Sequence, residues 1–280
     1  MLKTRVITAL VLLAVFLPIV WLAPLIWLGA LIALVITVAA WEWWRLLFPM
    51  NHKRAFSYAG ICLLSLATMF MYASMDLVKI LLFVTVLFWL IVVPYLMKQS
   101  LSLNIAKWRW PLAILGLLIF PTGWFALMHL RGGGLSVLIS VLVLVWCADI
   151  GAYFAGKSFG KHKLAIHLSP GKSIEGAIGG WLVVMCIAFT YIKINQYLDL
   201  SSSNFFSILQ DEFGWSGVFG VSTLCVLMSI QGDLFESQLK RVAGVKDSSN
   251  LLPGHGGILD RIDALLPVLP VAALITTFLV

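Results

Sequence analysis

Charge is scarce in this sequence. Only 11% of its 280 residues are Asp, Glu, Lys or Arg, against 61% hydrophobic side chains, and the mean hydropathy is +1.02. A water-soluble globule needs a largely polar surface, so this composition excludes one and leaves a polytopic membrane protein. Cysteine is scarce too: Cys62, Cys147, Cys186 and Cys225 are scattered through apolar runs, with no Cys-x-x-Cys pair and no Cys/His cluster. Neither a disulfide framework nor a zinc site is expected. The formal charge is +7, but the cations are divided among short loops between hydrophobic runs. There they set orientation in the membrane rather than bind nucleic acid.

What the chain has instead is long apolar runs. A span needs roughly 20 mostly apolar residues, and nine stretches qualify: about 5 to 22, 25 to 47, 58 to 74, 77 to 97, 111 to 129, 135 to 155, 173 to 193, 217 to 235 and 258 to 280. The expected fold is therefore all-α, with about nine transmembrane helices. The first run follows Lys3 and Arg5 and shows no small-residue cleavage site, so it is read as a retained span. With the N-terminus in the cytosol, sixteen of the nineteen Lys and Arg residues fall on the inner side, leaving Lys79, Arg131 and Lys193. That bias is expected of a multi-pass protein of a bacterial-type inner membrane, with its active side cytoplasmic.

The acids partition as well. Asp149, Glu175, Asp233, Glu236, Asp247, Asp260 and Asp263 gather on the inner side in the C-terminal half. Residues 1–134 read as a scaffold of about five spans, and 135–280 as a catalytic region of about four spans with inner loops. Leu101 to Trp110 and Asn204 to Trp215 mix aromatic and charged residues and suit short helices lying in the headgroup layer.

Gly151 to Ser158 read GAYFAGKS, the letters of the phosphate loop G-x-x-x-x-G-K-S. A working loop of that kind needs a strand before it and an amphipathic helix after it. Here a span precedes, and Phe159-Gly160-Lys161-His162-Lys163 follows. The pairs Gly156-x-x-x-Gly160 and Gly176-x-x-x-Gly180 instead have the spacing of close helix packing.

Chemistry concentrates between Gln231 and Asp263. Asp233 and Glu236 stand three apart at the inner end of span eight and share a helix face, and Asp260 and Asp263 repeat the spacing at the start of span nine. Lys240, Arg241, Lys246 and His255 lie between them. Acids near the bilayer centre cost roughly 2.5–3.5 kcal/mol each, and carboxylates facing one another across two helices repel unless a cation joins them. Oxygen-only ligation points to a hard ion such as Mg²⁺. Asp233 and Asp260 are the first candidates for ligands, followed by Asp263, Glu236 and Asp149. Clustered cations beside such an ion suit a polyphosphate.

Blander readings stand beside these. Lys240 and Arg241 also serve as orientation charges, His255 as an ordinary turn residue, and Asp149 as a helix cap. Asp233 and Asp260 also suit internal ion pairs with Lys240 or Arg261. A cation-coupled transporter using Asp149, Asp233 and Asp260 as a relay is the alternative from another class.

Ser237-Gln-Leu-Lys240-Arg241, then Lys246-Asp247-Ser-Ser249, then Leu252-Pro-Gly-His255-Gly256-Gly257-Ile-Leu-Asp260-Arg261-Ile-Asp263 resembles, with fixed spacing, the signature of the phosphatidate cytidylyltransferases. Ala148 to Phe154 and Ser169 to Gly176 resemble that family's inner-loop segments, except that many relatives carry lysine and threonine where Gly171 and Ser173 stand. The four-aspartate run of the CDP-alcohol phosphotransferases is absent. The resemblance implies transfer of the cytidylyl group from CTP to phosphatidate among membrane lipids, yielding CDP-diacylglycerol and pyrophosphate. It also implies Mg²⁺ dependence, a second cation such as K⁺, and a homodimer. In that site Asp233, Asp260, Lys240, Arg241 and His255 are the catalytic candidates. Lys172, Ser173, Ser237, Lys246, Asp247, Gly256, Gly257 and Arg261 are the substrate-binding ones.

Overall fold

The computed structural model describes residues 14, 17–51, 53–198 and 203–279. After a helical stretch at 17–22, the chain runs through α1 (Leu25–Leu47), α2 (Lys53–Tyr72), α3 (Met75–Met97), α4 (Ile105–Gly132) and α5 (Leu135–Phe159). A hairpin of β1 (Lys163–Ala165) and β2 (Ser169–Ser173) leads into α6 (Ile174–Tyr197) and α7 (Phe205–Val242). A short α8 (Leu259–Ile262) and α9 (Leu265–Leu279) complete it. The protein is all-α and polytopic: α1 to α7 are each long and apolar enough to cross a membrane.

These seven coincide with expected spans two to eight, while most of the first lies outside the described residues. The ninth is divided. Asp263 turns back to accept the N–H of Ala264 at 2.8 Å, and the apolar helix proper starts only at Leu265, with Pro267 in its first turn, where a missing N–H costs nothing. At about 1.5 Å per residue its 15 residues reach about 22 Å, short of a hydrocarbon core of about 30 Å.

Two local expectations change. The aromatic segment from Asn204 does not lie free in the headgroup layer. A capping box between Asn204 and Ser207 starts its helix, the Phe205 N–H reaches Ser140 Oγ at 2.9 Å, and Phe205, Phe206 and Leu209 are fully buried in the bundle. Gly214, at φ 65° and ψ −165°, kinks the chain into the rest of α7. Leu101 to Trp110 is likewise the entry to α4, capped by the Asn104 side chain, with Trp110 set edge-on against Trp44 and Phe48.

Helix contacts depend on small residues and polar ties. Tyr58 Oη donates to the Ala113 carbonyl at 2.7 Å and Trp43 Nε1 to that of Leu112 at 3.1 Å, through a gap that a side chain at Gly116 would fill. Between α5 and α6, a Cβ at Gly176 would come within 2.8 Å of the Ala152 carbonyl, and one at Gly180 would overlap that of Ala148. The small-residue spacing is thus a packing surface. GAYFAGKS lies in continuous helix, so its glycines and lysine form no phosphate loop.

Candidate active site

The C-terminal parts of α5 and α7, the hairpin and the approach to α9 surround a cavity of about 850 Å³. Its cations come from several elements: Lys157 ends α5, Lys163 and Lys172 stand on the two strands, and Arg261 is on α8. Asp149, Asp233, Asp247, Asp260 and Asp263 line the same space. Bringing Lys172 here needs the hairpin, which Glu175 secures. Its carboxylate accepts the N–H groups of Lys161 and His162, each at 3.1 Å, and meets His162 Nδ1 at 2.6 Å. Ser173 caps α6 by accepting the Gly176 N–H at 3.1 Å.

Asp233 faces the cavity with Lys172 Nζ 2.6 Å from Oδ2, and Ser237 Oγ donates to Oδ1 at 3.3 Å. Asp149 lies within electrostatic reach of both Lys172 and Asp233, and Asp263 within reach of Asp233. Burial, then the Asp233 charge, pushes the Asp263 carboxyl well up. Asp260 has a different setting. Oδ1 takes Lys240 Nζ at 2.5 Å, and Oδ2 takes the N–H groups of Gly257 at 2.7 Å and Ser248 at 2.9 Å, with Ser248 Oγ at 2.8 Å. Burial raises that carboxyl, yet Lys240, Gly257 and Ser248 together outweigh it and hold Asp260 below its ordinary value. Lys240, almost fully buried, also pairs with Glu236 one turn back. The internal ion pair read from the sequence is therefore present, as Lys240–Asp260.

Other predicted site residues stand apart from the cavity. Arg241 is exposed, its guanidinium 3.4 Å from the Val245 carbonyl, and Lys246 is exposed in the loop. His255 faces a second cavity of about 370 Å³, apolar and enclosed mainly by α1, α4, α5 and α9. Its carbonyl accepts from Arg261 at 2.8 Å, while its Nδ1 is buried without a hydrogen-bond partner. Gly256 holds φ at +81°, and a Cβ there would stand 2.7 Å from Asp260 Oδ2; one at Gly257 would overlap Ser248 Oγ. Trp146, Arg261 and Leu265 line both cavities.

A profile of the cytidylyltransferase family matches residues 3–279. The chain belongs to that family. It is 38% identical over 276 residues to a phosphatidate cytidylyltransferase of Pseudomonas aeruginosa, an alignment covering 98% of this chain and 96% of the relative. A Haemophilus influenzae protein of the same name is 35% identical over 96% of each chain, and one from Thermotoga maritima is 40% identical over 54% of this chain and 53% of its own.

The sequence of this cytidylyltransferase also carries three side chains, not singled out above, that tie the elements around the site together. Gln231 Nε2 donates to the Trp89 carbonyl, and Gln238 Nε2 donates to those of Leu96 and Ser100 at 2.9 and 2.8 Å. The Trp89 carbonyl is open to Gln231 because α3 loosens into a π-helical turn at Phe88–Val92, and Pro94 has no N–H to return to it. The seven-residue spacing of the two glutamines would have placed them on one face of α7. The third side chain is Glu42 of α1, fully buried, which accepts from Ser248, Ser249, Ile258 and Leu259. Its signal was the lone acid of that span, with Arg45 the one other charged residue.

Proposed function

We propose that this chain transfers the cytidylyl group of CTP to phosphatidate, forming CDP-diacylglycerol and releasing pyrophosphate. One observation carries the reading: a cavity rich in lysine and carboxylate opens beside an apolar one, with Arg261 on the wall of both. A triphosphate suits the first and acyl chains suit the second, which brings the lipid phosphate to their boundary. A phosphatidate oxygen attacks the α-phosphorus in line while the bond to pyrophosphate breaks. The nucleophile is already charged, so no covalent enzyme intermediate is needed. Lys157, Lys163, Lys172 and Arg261 position the two phosphates and offset charge in the transition state.

Mg²⁺ fits the oxygen donors. Among the described residues no three carboxylate, imidazole or thiol groups converge as a ready-made metal site. Magnesium, however, commonly takes one or two carboxylates and completes its shell with substrate phosphates and water. Asp233 and Asp263, with Asp149 close by, would hold it, and the Lys172 ammonium now marks the cation position at Asp233. Asp260 would join only by giving up Lys240 or its loop donors. When bound, the ion supplies charge neutralisation at the phosphates. A second cation such as K⁺, a homodimer, and placement of the cavity on the cytoplasmic face of an inner membrane belong to the same reading. Nothing in the structure favours the transporter alternative.

Purified protein given labelled CTP and phosphatidate in mixed micelles with Mg²⁺ should form lipid-linked CMP and lose that activity on chelation. Ion flux across reconstituted vesicles without any such product would overturn the reading.

A further inference from the structure

Glu42 is the only acid between Leu25 and Leu47, and it has no exposed surface. No Lys or Arg pairs with it among the described residues. Its partners are donors from the other end of the chain. Oε1 accepts Ser249 Oγ at 2.5 Å and the Ile258 N–H at 3.1 Å, while Oε2 accepts the Leu259 N–H at 2.6 Å and lies 3.1 Å from Ser248 Oγ. Three of these donors are its own, and the single Ser248 hydroxyl proton is shared with Asp260. Ser248 Oγ sits between it and Asp260, which binds the neighbouring N–H groups of Ser248 and Gly257. The loop from 248 to 259 is thus held between two carboxylates, one from the scaffold half and one from the cavity. Gly257 is the point of contact, since an added methyl would overlap both Ser248 Oγ and Glu42 Oε1.

We infer that Glu42 is a positioning residue for the transfer reaction: by gathering the 248–259 loop it sets Asp260 and Arg261 at the cavity. This rests on the cytidylyl-transfer reading above. Most of the cavity's cations, Lys157, Lys163 and Lys172 among them, stand on other elements. Loosening the loop should therefore spare CTP binding and impair the chemical step.

Glu42→Gln tests this, because the amide keeps the shape but turns a donor toward one of the two donor pairs. In the full-length purified protein, kcat per folded molecule should fall about tenfold or more while KM for CTP stays within about threefold. Hydrogen exchange should quicken at the amides of 248–259 and stay unchanged in α6 and α9. Glu42→Asp should recover part of the rate. Ser249→Ala, which removes a single donor, should lower kcat about three- to fivefold and serves if Glu42→Gln does not accumulate. Kinetics of the folded variants within about twofold of wild type would overturn the inference; so would exchange that quickens equally throughout the protein. A wild-type chain making no lipid-linked CMP would remove the transfer reading itself, whereas unaltered variants beside an active wild type would remove only the role of Glu42.

Discussion

Asp233 and Lys240 lie on the same helix two turns apart, yet their environments assign them different work. Asp233 opens onto the cavity and is paired with one cation, Lys172, which arrives from the hairpin. Lys240 is buried between Glu236 and Asp260, and its removal would leave two enclosed acids without a counter-charge. Breaking one side of a buried ionic cluster costs about 3–5 kcal/mol. Asp233→Asn should therefore abolish lipid-linked CMP formation with little change in thermal unfolding, and Lys240→Met should lower stability by about that amount before any question of rate arises. Melting and turnover measured on the same preparations would check both, and a cold-stable, active Asp233→Asn would remove it from the site. Residue types and spacing between 233 and 263 made this region legible in advance. What spacing left open was which acid meets which cation, because helix periodicity orders neighbours on one helix and says nothing about Lys172 arriving from a hairpin.

At the level of elements, α5 and α6 share the most extensive helix contact among the described residues, and it carries Asp149 and Ser173 to the cavity wall. The interface is made by absent side chains. Gly180→Ala should therefore cost about 1–3 kcal/mol through overpacking against the Ala148 carbonyl. Gly220, which has open space around it, should tolerate alanine without loss. Equal melting temperatures for the two variants would show that this contact is not close. Glycine spacing announced the packing surface, as apolar length announced α1 to α7. The hairpin was not foreseen, since Lys163–Ala165 and Ser169–Ser173 are too short and polar for an alternation signal and are secured by Glu175, a residue outside both strands. Nor was the burial of Phe205, Phe206 and Leu209: an aromatic stripe reads alike whether lipid or protein covers it.

For the whole molecule, the parity of the spans brings the ends of α5 and α7, the hairpin and the start of α8 to one end of the bundle, where the cavity lies. On the proposed reading, the distribution of Lys and Arg would put that end in the cytosol. With Cys186 replaced by serine, an impermeant maleimide added to intact cells should label Asp76→Cys and spare Lys161→Cys, and inverted vesicles should reverse the pattern. Labelling of Lys161→Cys from outside would invert the orientation. Apolar length alone announced the seven helices long enough to span among the described residues. The division into scaffold and catalytic halves did not anticipate Glu42, because a tie between α1 and residue 259 leaves no local pattern in either segment.

That tie has a consequence in time. Ser248 and Leu259 stand 206 and 217 residues after Glu42, and a ribosome adding about 5–20 residues per second needs roughly 10–40 s to supply them. Throughout that interval the first helices of the bundle are already made and their acid has no native donor. The newborn protein must shelter a carboxylate in α1 until residues 248 to 259 are synthesised, so that helix reaches its final hydrogen bonding only when the site itself closes.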